Sequence, residues 1–239
     1  MKKPIKALLL AAGMGTRLRP ITLKVPKCLV KIDNKYLLEI WLDKLFLIGC
    51  KEVLINTHYR HEEVKNFLQN YDSKDMMITN TYEEELLGTA GTLEKNLNFF
   101  SNSLGLVLHA DNMTDDNLQN LVNTQLKRKE NCILSMLTFR TKNPSLCGIV
   151  ETNNEEILIG FHEKKDNPPG NIANGAIYAF DEEFLKFIKK IKPKPFDISK
   201  DIIPKLIGRI QTCYTKEMFI DIGNPESLEK AQKFWENKL

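Results

Sequence analysis

Ile5-Lys6-Ala7-Leu8-Leu9-Leu10-Ala11-Ala12-Gly13-Met14-Gly15-Thr16-Arg17-Leu18 decides the architecture of this chain. Ile5 to Ala11 is an almost unbroken apolar run. Its length suits a strand buried on both faces, as strands of parallel sheets are. A glycine-rich loop follows at once. Glycines there let backbone N–H groups approach a polyanion closely, and Thr16 and Arg17 add a hydroxyl and a fork of donors. The loop is neither G-x-G-x-x-G nor a Walker loop, which would end in Gly-Lys-Ser/Thr. Taken alone, it is an ordinary strand-to-helix turn.

Working outward, strand and helix alternate. Leu37 to Ile48 has a helical apolar face at Leu38, Trp41, Leu42, Leu45 and Ile48, with Gly49 as its stop. Further strands are expected over 52–56, 76–80, 105–109 and 132–138, and helices over 61–68 and 117–129. Residues 88–97 read as a loop entering a helix. This order predicts an α/β fold with a mainly parallel sheet flanked by helices. The later part is richer in strands, at 148–151, 157–163 and 174–180, then 210–214 and 217–220. Helices are expected over 182–191, 201–207 and 225–235, the last with Asn224 as N-cap and Pro225 at its first position. No repeat or linker interrupts the chain, so the expectation is a single domain over 1–239. Residues 1–140 would form its alternating part, and 141–239 its strand-rich part and closing helix.

Composition excludes several classes. The 239 residues are 42% hydrophobic and 27% charged, an ordinary globular balance. Thirty-four Lys and Arg against 31 Asp and Glu leave +3, too even to argue for nucleic acid. The five cysteines, Cys28, Cys50, Cys132, Cys147 and Cys213, include no CxxC pair and match no zinc spacing. A reduced, cytoplasmic compartment fits them. Met1, Lys2 and Lys3 before a short apolar run imitate a leader, but Arg17 and Arg19 follow too closely. No stretch approaches the ~18 apolar residues of a membrane span.

In an open α/β sheet, ligands bind beyond the carboxyl ends of the strands. The residues there form a pattern. Gly13-Met14-Gly15-Thr16-Arg17-Leu18-Arg19-Pro20 followed by Val25-Pro26-Lys27 resembles the G-x-G-T-R-L…P-K signature of the sugar-1-phosphate nucleotidylyltransferases, or NDP-sugar pyrophosphorylases. Leu87-Gly88-Thr89-Ala90-Gly91 is similar to that family's base-contacting loop. His109-Ala110-Asp111 takes the place of its strand-end G-D. Glu163-Lys164, Asn174-Gly175-Ala176-Ile177-Tyr178 and Asp221-Ile222-Gly223-Asn224-Pro225-Glu226 resemble its sugar-phosphate, sugar and second metal motifs. There are departures: His109 and Ala110 stand where Asn and Gly are usual, Lys165 replaces a Pro, and Cys28 replaces another.

The resemblance implies a Rossmann-like, GT-A-like nucleotidyltransferase fold. It also implies transfer of a nucleoside monophosphate from an NTP to a sugar 1-phosphate, with release of pyrophosphate. Arg17 and Lys27 would be catalytic. Leu10, Ala11, Ala12, Gly13, Gly15, Thr16, Arg17, Gly88 and Thr89 would bind the nucleotide. Asn112, Glu163, Lys164, Asn174 and Gly175 would bind the sugar phosphate, and Asp111 and Asp221 would hold Mg2+. These types suit the task, since two phosphates can meet only where cations screen their charge. Taken singly they are less telling: Asp111 reads as a loop carboxylate, Asp221 as a helix-entry residue, and Lys164 and Lys165 as surface charge.

From its length, an appended β-helix with acetyltransferase activity is not expected. It is similar to stand-alone mannose- or heptose-1-phosphate guanylyltransferases, so the base and sugar lean to GTP and a manno-configured phosphate. A cytidylyltransferase for a small phosphorylated alcohol or amide is the alternative within the class, and an inactive nucleotide-sugar sensor the alternative outside it. The presence of Arg17, Lys27, Asp111 and Asp221 speaks against the sensor. The expected partners are the two substrates, with no nucleic acid and no membrane. A homodimer is open, because dimers are common in short members although nothing here reads as an interface.

Overall fold

The computed structural model describes residues 3–237. Met1 and Lys2, which entered the leader reading, lie outside the described residues. In chain order the elements are β1 (Ile5–Leu10), β2 (Lys31–Ile32), β3 (Lys35–Tyr36), α1 (Leu37–Leu47), β4 (Cys50–Thr57), α2 (His61–Asn70) and β5 (Met77–Tyr82). Then come α3 (Gly88–Lys95), β6 (Leu104–His109), β7 (Asn112–Thr114), α4 (Gln119–Lys127), β8 (Leu134–Arg140), β9 (Gly148–Thr152) and β10 (Leu158–Glu163). The chain closes with β11 (Ile172–Phe180), α5 (Glu182–Lys190), β12 (Ile210–Tyr214), β13 (Phe219–Asp221) and α6 (Pro225–Glu236).

These elements form two compact units. Among the described residues, the first comprises 3–6, 87–107 and 116–217; the second comprises 7–86, 108–115 and 218–237. In the second unit the strand order is β1-β4-β5, with β4 and β5 parallel, in register from Glu52 opposite Met77 to Thr57 opposite Tyr82. This is the alternating part of the sequence. Ala7, Leu8 and Leu9 are fully buried, as the apolar run demands. From α1, Leu37, Leu38, Trp41, Leu42 and Leu45 pack inward. Gly49 follows α1 with φ 75°, the left-handed stop its sequence position predicted. Asn224 caps α6 by accepting from Ser227 N at 2.9 Å, with Pro225 at the first helical position.

In the first unit the order is β10-β9-β11-β6. Here β11 also pairs with β8 antiparallel, and β12 runs parallel to β8. The register of β11 on β8 shifts between Asn174 and Tyr178, and Ala176 inside that shift has φ 52°. A non-glycine residue in the left-handed region marks a bulge that re-aims its neighbours.

One element differs from expectation. The helix predicted over 201–207 is a π-helical turn, Ile198–Ile202, followed by a 3-10 turn, Ile203–Leu206. Pro204 has no N–H to give and its ring would crowd the carbonyl four residues back, so an α-helix cannot run through it.

Candidate active site

The glycine loop begins where β1 ends. Residues 16–18 form a 3-10 turn closed by Leu18 N donating to Gly15 O at 2.9 Å. Gly15 has φ 62°, and a Cβ there would stand 2.8 Å from Thr22 Cγ2 and 3.2 Å from Lys27 Cβ. The glycine therefore permits both the left-handed turn and the close passage of the following chain. Thr22 Oγ1 donates to Gly15 O at 2.7 Å and pins that passage. Gly13 is exposed, with open space around the position a Cβ would take. Among the described residues, the N–H groups of Gly13 and Gly15 donate to no protein acceptor. Backbone N–H groups left open in such a turn can bind an anion.

The chain then turns back through residues 27–29 and delivers Lys27. Only 8% of the Lys27 side chain is exposed. Its Nζ lies 2.6 Å from Asp111 Oδ2 and 3.7 Å from Asp221 Oδ1. A cation this far from water is held only when paired. Asp111 sits just beyond β6, where Ala110 N donates to Leu10 O at 3.0 Å and fixes the neighbouring strand ends. Asp221 arrives by the short β7–β13 ladder, in which it faces Asn112, and Ile222 N donates to Asp111 O at 3.0 Å. Arg17 Nη2 reaches to 3.9 Å from Asp221 Oδ2, with 71% of its side chain in solvent. Residues distant in sequence thus meet around one ammonium group.

Burial alone would push the Asp111 carboxyl upward. The charge of Lys27, then His109 and the Lys27 hydrogen bond, outweigh burial and hold it below the usual carboxylate range. Next door, burial pushes the Cys28 thiol up to about 12, so it stays neutral and is no nucleophile. Leu10, Ala11, Gly13, Lys27, Cys28, Ala110 and Asp111 line a hollow of about 20 Å³ at the base of the loop. Asn112 is buried, and its carbonyl accepts from Trp41 Nε1 at 2.8 Å.

Two residues that the sequence reading passed over support this floor. Asn56, at the end of β4, accepts from Ala11 N at 2.8 Å and donates to Glu83 Oε1 at 3.0 Å. Both side chains are buried. The signal was available: a polar residue closes the apolar run Val53-Leu54-Ile55-Asn56, beside the loop-bearing strand.

The remaining candidates lie in the first unit. Gly88 and Thr89 open α3. Glu163 ends β10, and burial raises its carboxyl against the lowering pull of Lys164. Lys164 has φ 49° and is exposed, its Nζ 3.8 Å from Glu163 Oε1. Asn174 and Gly175 lie on β11, and the Asn174 amide is bonded to Tyr178, Ser199 and Ala176 N. The structure therefore gathers Leu10, Ala11, Ala12, Gly13, Gly15, Thr16, Arg17, Lys27, Asp111, Asn112 and Asp221 in one unit, and Gly88, Thr89, Glu163, Lys164, Asn174 and Gly175 in the other.

A family model described as Nucleotidyl transferase matches residues 6–238. The chain belongs to the nucleotidyl transferase family. Among its relatives, the mannose-1-phosphate guanylyltransferase catalytic subunit beta of Drosophila pseudoobscura pseudoobscura is 32% identical over 227 residues, 92% of this chain and 60% of that protein. The subunit of the same description from Dictyostelium discoideum is 30% identical over 240 residues, 98% of this chain and 66% of that protein. The chain thus spans 60–66% of the length of these two curated relatives. Among solved structures, HddC from Yersinia pseudotuberculosis complexed with GMP-PN superposes with a TM-score of 0.80 at 22% identity, over 96% of this chain and 99% of that one. That likeness establishes the fold: the mixed, mainly parallel sheet flanked by helices is the fold expected from the sequence.

Among the described residues, no helix is long and apolar enough to cross a membrane. Nor do three or more His, Cys, Asp or Glu side chains gather there as a metal cage.

Proposed function

We propose that this chain transfers a nucleoside monophosphate from an NTP to a sugar 1-phosphate, giving NDP-sugar and pyrophosphate, with GTP and a manno-configured sugar phosphate as the pair. One observation carries the reading: the buried ammonium of Lys27 lies between Asp111 and Asp221, beside the glycine loop. The guanylyltransferase relatives support the choice of base and sugar.

The chemistry follows from charge. A phosphate oxygen of the sugar phosphate attacks the α-phosphorus, and the bond from that phosphorus to the bridging oxygen breaks as pyrophosphate leaves. The attacking oxygen is already ionised, so no general base is needed. Lys27 binds the α-phosphate and takes up charge that grows in the transition state. The N–H groups of Gly13 and Gly15 and the Arg17 guanidinium hold the departing phosphates. Lys164 holds the sugar phosphate, and Glu163 and Asn174 orient the sugar.

Asp111 and Asp221 suit magnesium. They are two hard oxygen donors converging on a point where a cation already sits, and Mg2+ is commonly held by one or two carboxylates plus substrate phosphates. When bound there, the ion would neutralise phosphate charge. The five cysteines carry thiols and form no disulfide, which supports a reducing compartment such as the cytoplasm.

The test is pyrophosphate release with magnesium, over GTP, UTP, dTTP, CTP and ATP against mannose, glucose, N-acetylglucosamine and manno-heptose 1-phosphates. Turnover concentrated at GTP with a manno-configured phosphate is expected. A folded protein silent in every cell would refute the transferase reading; turnover centred on another base would refute the choice of GTP.

A further inference from the structure

Residues 196–201 form a strap that is bonded at both ends within the first unit. At one end it lies on the start of α3. Ala90 N donates to Phe196 O at 3.0 Å, and Ile198 N donates to Thr89 Oγ1 at 2.8 Å. Gly88 has φ 73°, and a Cβ there would stand 2.2 Å from Phe196 O. Glycine is what lets the strap lie this close.

At its other end the strap meets β11. Asn174 Nδ2 donates to Tyr178 Oη at 2.8 Å and to Ser199 Oγ at 3.4 Å. Asn174 Oδ1 accepts from Ala176 N at 2.8 Å. A backbone N–H can only donate, so the oxygen must face it and the amide orientation is settled. Both amide hydrogens and one of the two oxygen lone pairs are then engaged. Asn174 has one acceptor position left to offer a ligand. The strap's own shape is held by Asp201, whose Oδ2 accepts from Phe196 N and Asp197 N, each at 2.8 Å. The π-helical turn sits on these bonds, and such turns recur at functional sites.

We propose that the strap is the positioning element of the sugar-phosphate subsite, with Ser199 and Asp201 as its positioning residues. Ser199, with Tyr178, occupies the amide hydrogens of Asn174, so that Asn174 can only accept a hydrogen bond from a sugar hydroxyl. Through Thr89, the strap ties that setting to the loop expected to meet the nucleotide. Binding at either place then steadies the other, and the coupling is reciprocal. This inference rests on the proposed transferase activity.

Steady-state kinetics with GTP, mannose 1-phosphate and magnesium test it. Ser199→Ala should raise KM for mannose 1-phosphate about fivefold to tenfold, the loss expected for one positioning hydrogen bond, with kcat and KM for GTP within about twofold of wild type. Asp201→Ala should raise both KM values and abolish the fall in KM for GTP as mannose 1-phosphate is added. Asp201→Asn, which keeps an acceptor oxygen, should restore both. Thermal unfolding of each variant separates these effects from loss of fold, and Asp201→Ala carries the test if Ser199→Ala does not fold. An unmoved KM for mannose 1-phosphate in folded Ser199→Ala or Asp201→Ala, with wild type active, overturns the positioning role. A wild-type enzyme silent with every substrate pair removes the activity and this inference together.

Discussion

Asp221 is the antiparallel partner of Asn112, and that pairing sets a second carboxylate beside Lys27, which Asp111 already holds at 2.6 Å. The two carboxylates are not equivalent. Asp111 makes the short contact; Asp221 stands at 3.7 Å with about half of its side chain in solvent. Asp221→Asn should therefore leave Lys27 paired and the fold intact. It should weaken turnover most at low magnesium, with activity partly recovered as the ion is raised. A magnesium titration of pyrophosphate release reads this directly, and an unchanged titration curve would take Asp221 out of the ion's shell.

Lys27 itself is predicted to be indispensable. Among the described residues it is a buried cation beside the glycine loop, and in the proposed reaction it meets a developing negative charge. Lys27→Met should cost roughly 10²–10³-fold or more in kcat, the usual loss when an electrostatic stabiliser is removed. Stability should fall as well, because the Asp111 carboxylate, which burial disfavours, loses the charge that holds it, and urea unfolding separates that loss from the loss of turnover. Near-normal turnover in Lys27→Met would disprove the role.

The two loop glycines should part company. Gly13→Ala meets nothing within 4 Å, so the fold should tolerate it. Its effect should fall on KM for the nucleotide, where a methyl group hinders close approach of phosphate. Gly15→Ala forces a side chain into φ 62° and against Thr22. It should lower stability by about 1–3 kcal/mol, the usual size of such backbone strain. Urea unfolding alongside nucleotide titration distinguishes the two, and equal stabilities would contradict the assignment.

How much of this was legible beforehand depended on the reach of each signal. β1, α1 and the N-cap at Asn224 were readable because local sequence dictates them: an apolar run, a helical stripe, and an Asn-Pro pair. The meeting of Asp111 with Asp221 was expected only through the family resemblance. The ladder that causes it has three residues a side, too short for any periodicity. The helix expected over 201–207 gives way to a π-turn and a 3-10 turn, which follow from Asp201 bonding backward and Pro204 blocking an α-helix, both contextual effects. Asn56 was visible only as the polar end of an apolar strand. That it faces Ala11 N is a matter of strand order.

Asn56 supplies the next prediction. Asn56→Ala removes the acceptor from Ala11 N and a donor from the buried Glu83 carboxylate. Each buried group stripped of a partner costs about 1–3 kcal/mol. A loss of about 2–4 kcal/mol in unfolding free energy is expected from these combined losses. KM for the nucleotide should rise with it, because Ala11 leads into the loop. A loss below about 0.5 kcal/mol, the range of neutral surface changes, would mean the network is dispensable.

The last prediction concerns acid. Asp43 on α1 accepts from Lys35 Nζ and Lys74 Nζ, each at 2.6 Å, and from Tyr71 Oη at 3.4 Å. Burial would raise its carboxyl, but the two lysines prevail and hold it below the usual range. A group whose folded pKa is depressed contributes stability above its unfolded pKa, near 4, and loses that contribution as pH falls through the folded value. Asp43→Asn does not titrate. The stability gap between wild type and Asp43→Asn should thus be constant from about pH 7 to about pH 5, then narrow as pH drops below about 4. Chemical denaturation of both proteins across that span measures the gap. A gap that stayed constant down to about pH 2.5, or widened, would show that the Asp43 clamp does not contribute this way.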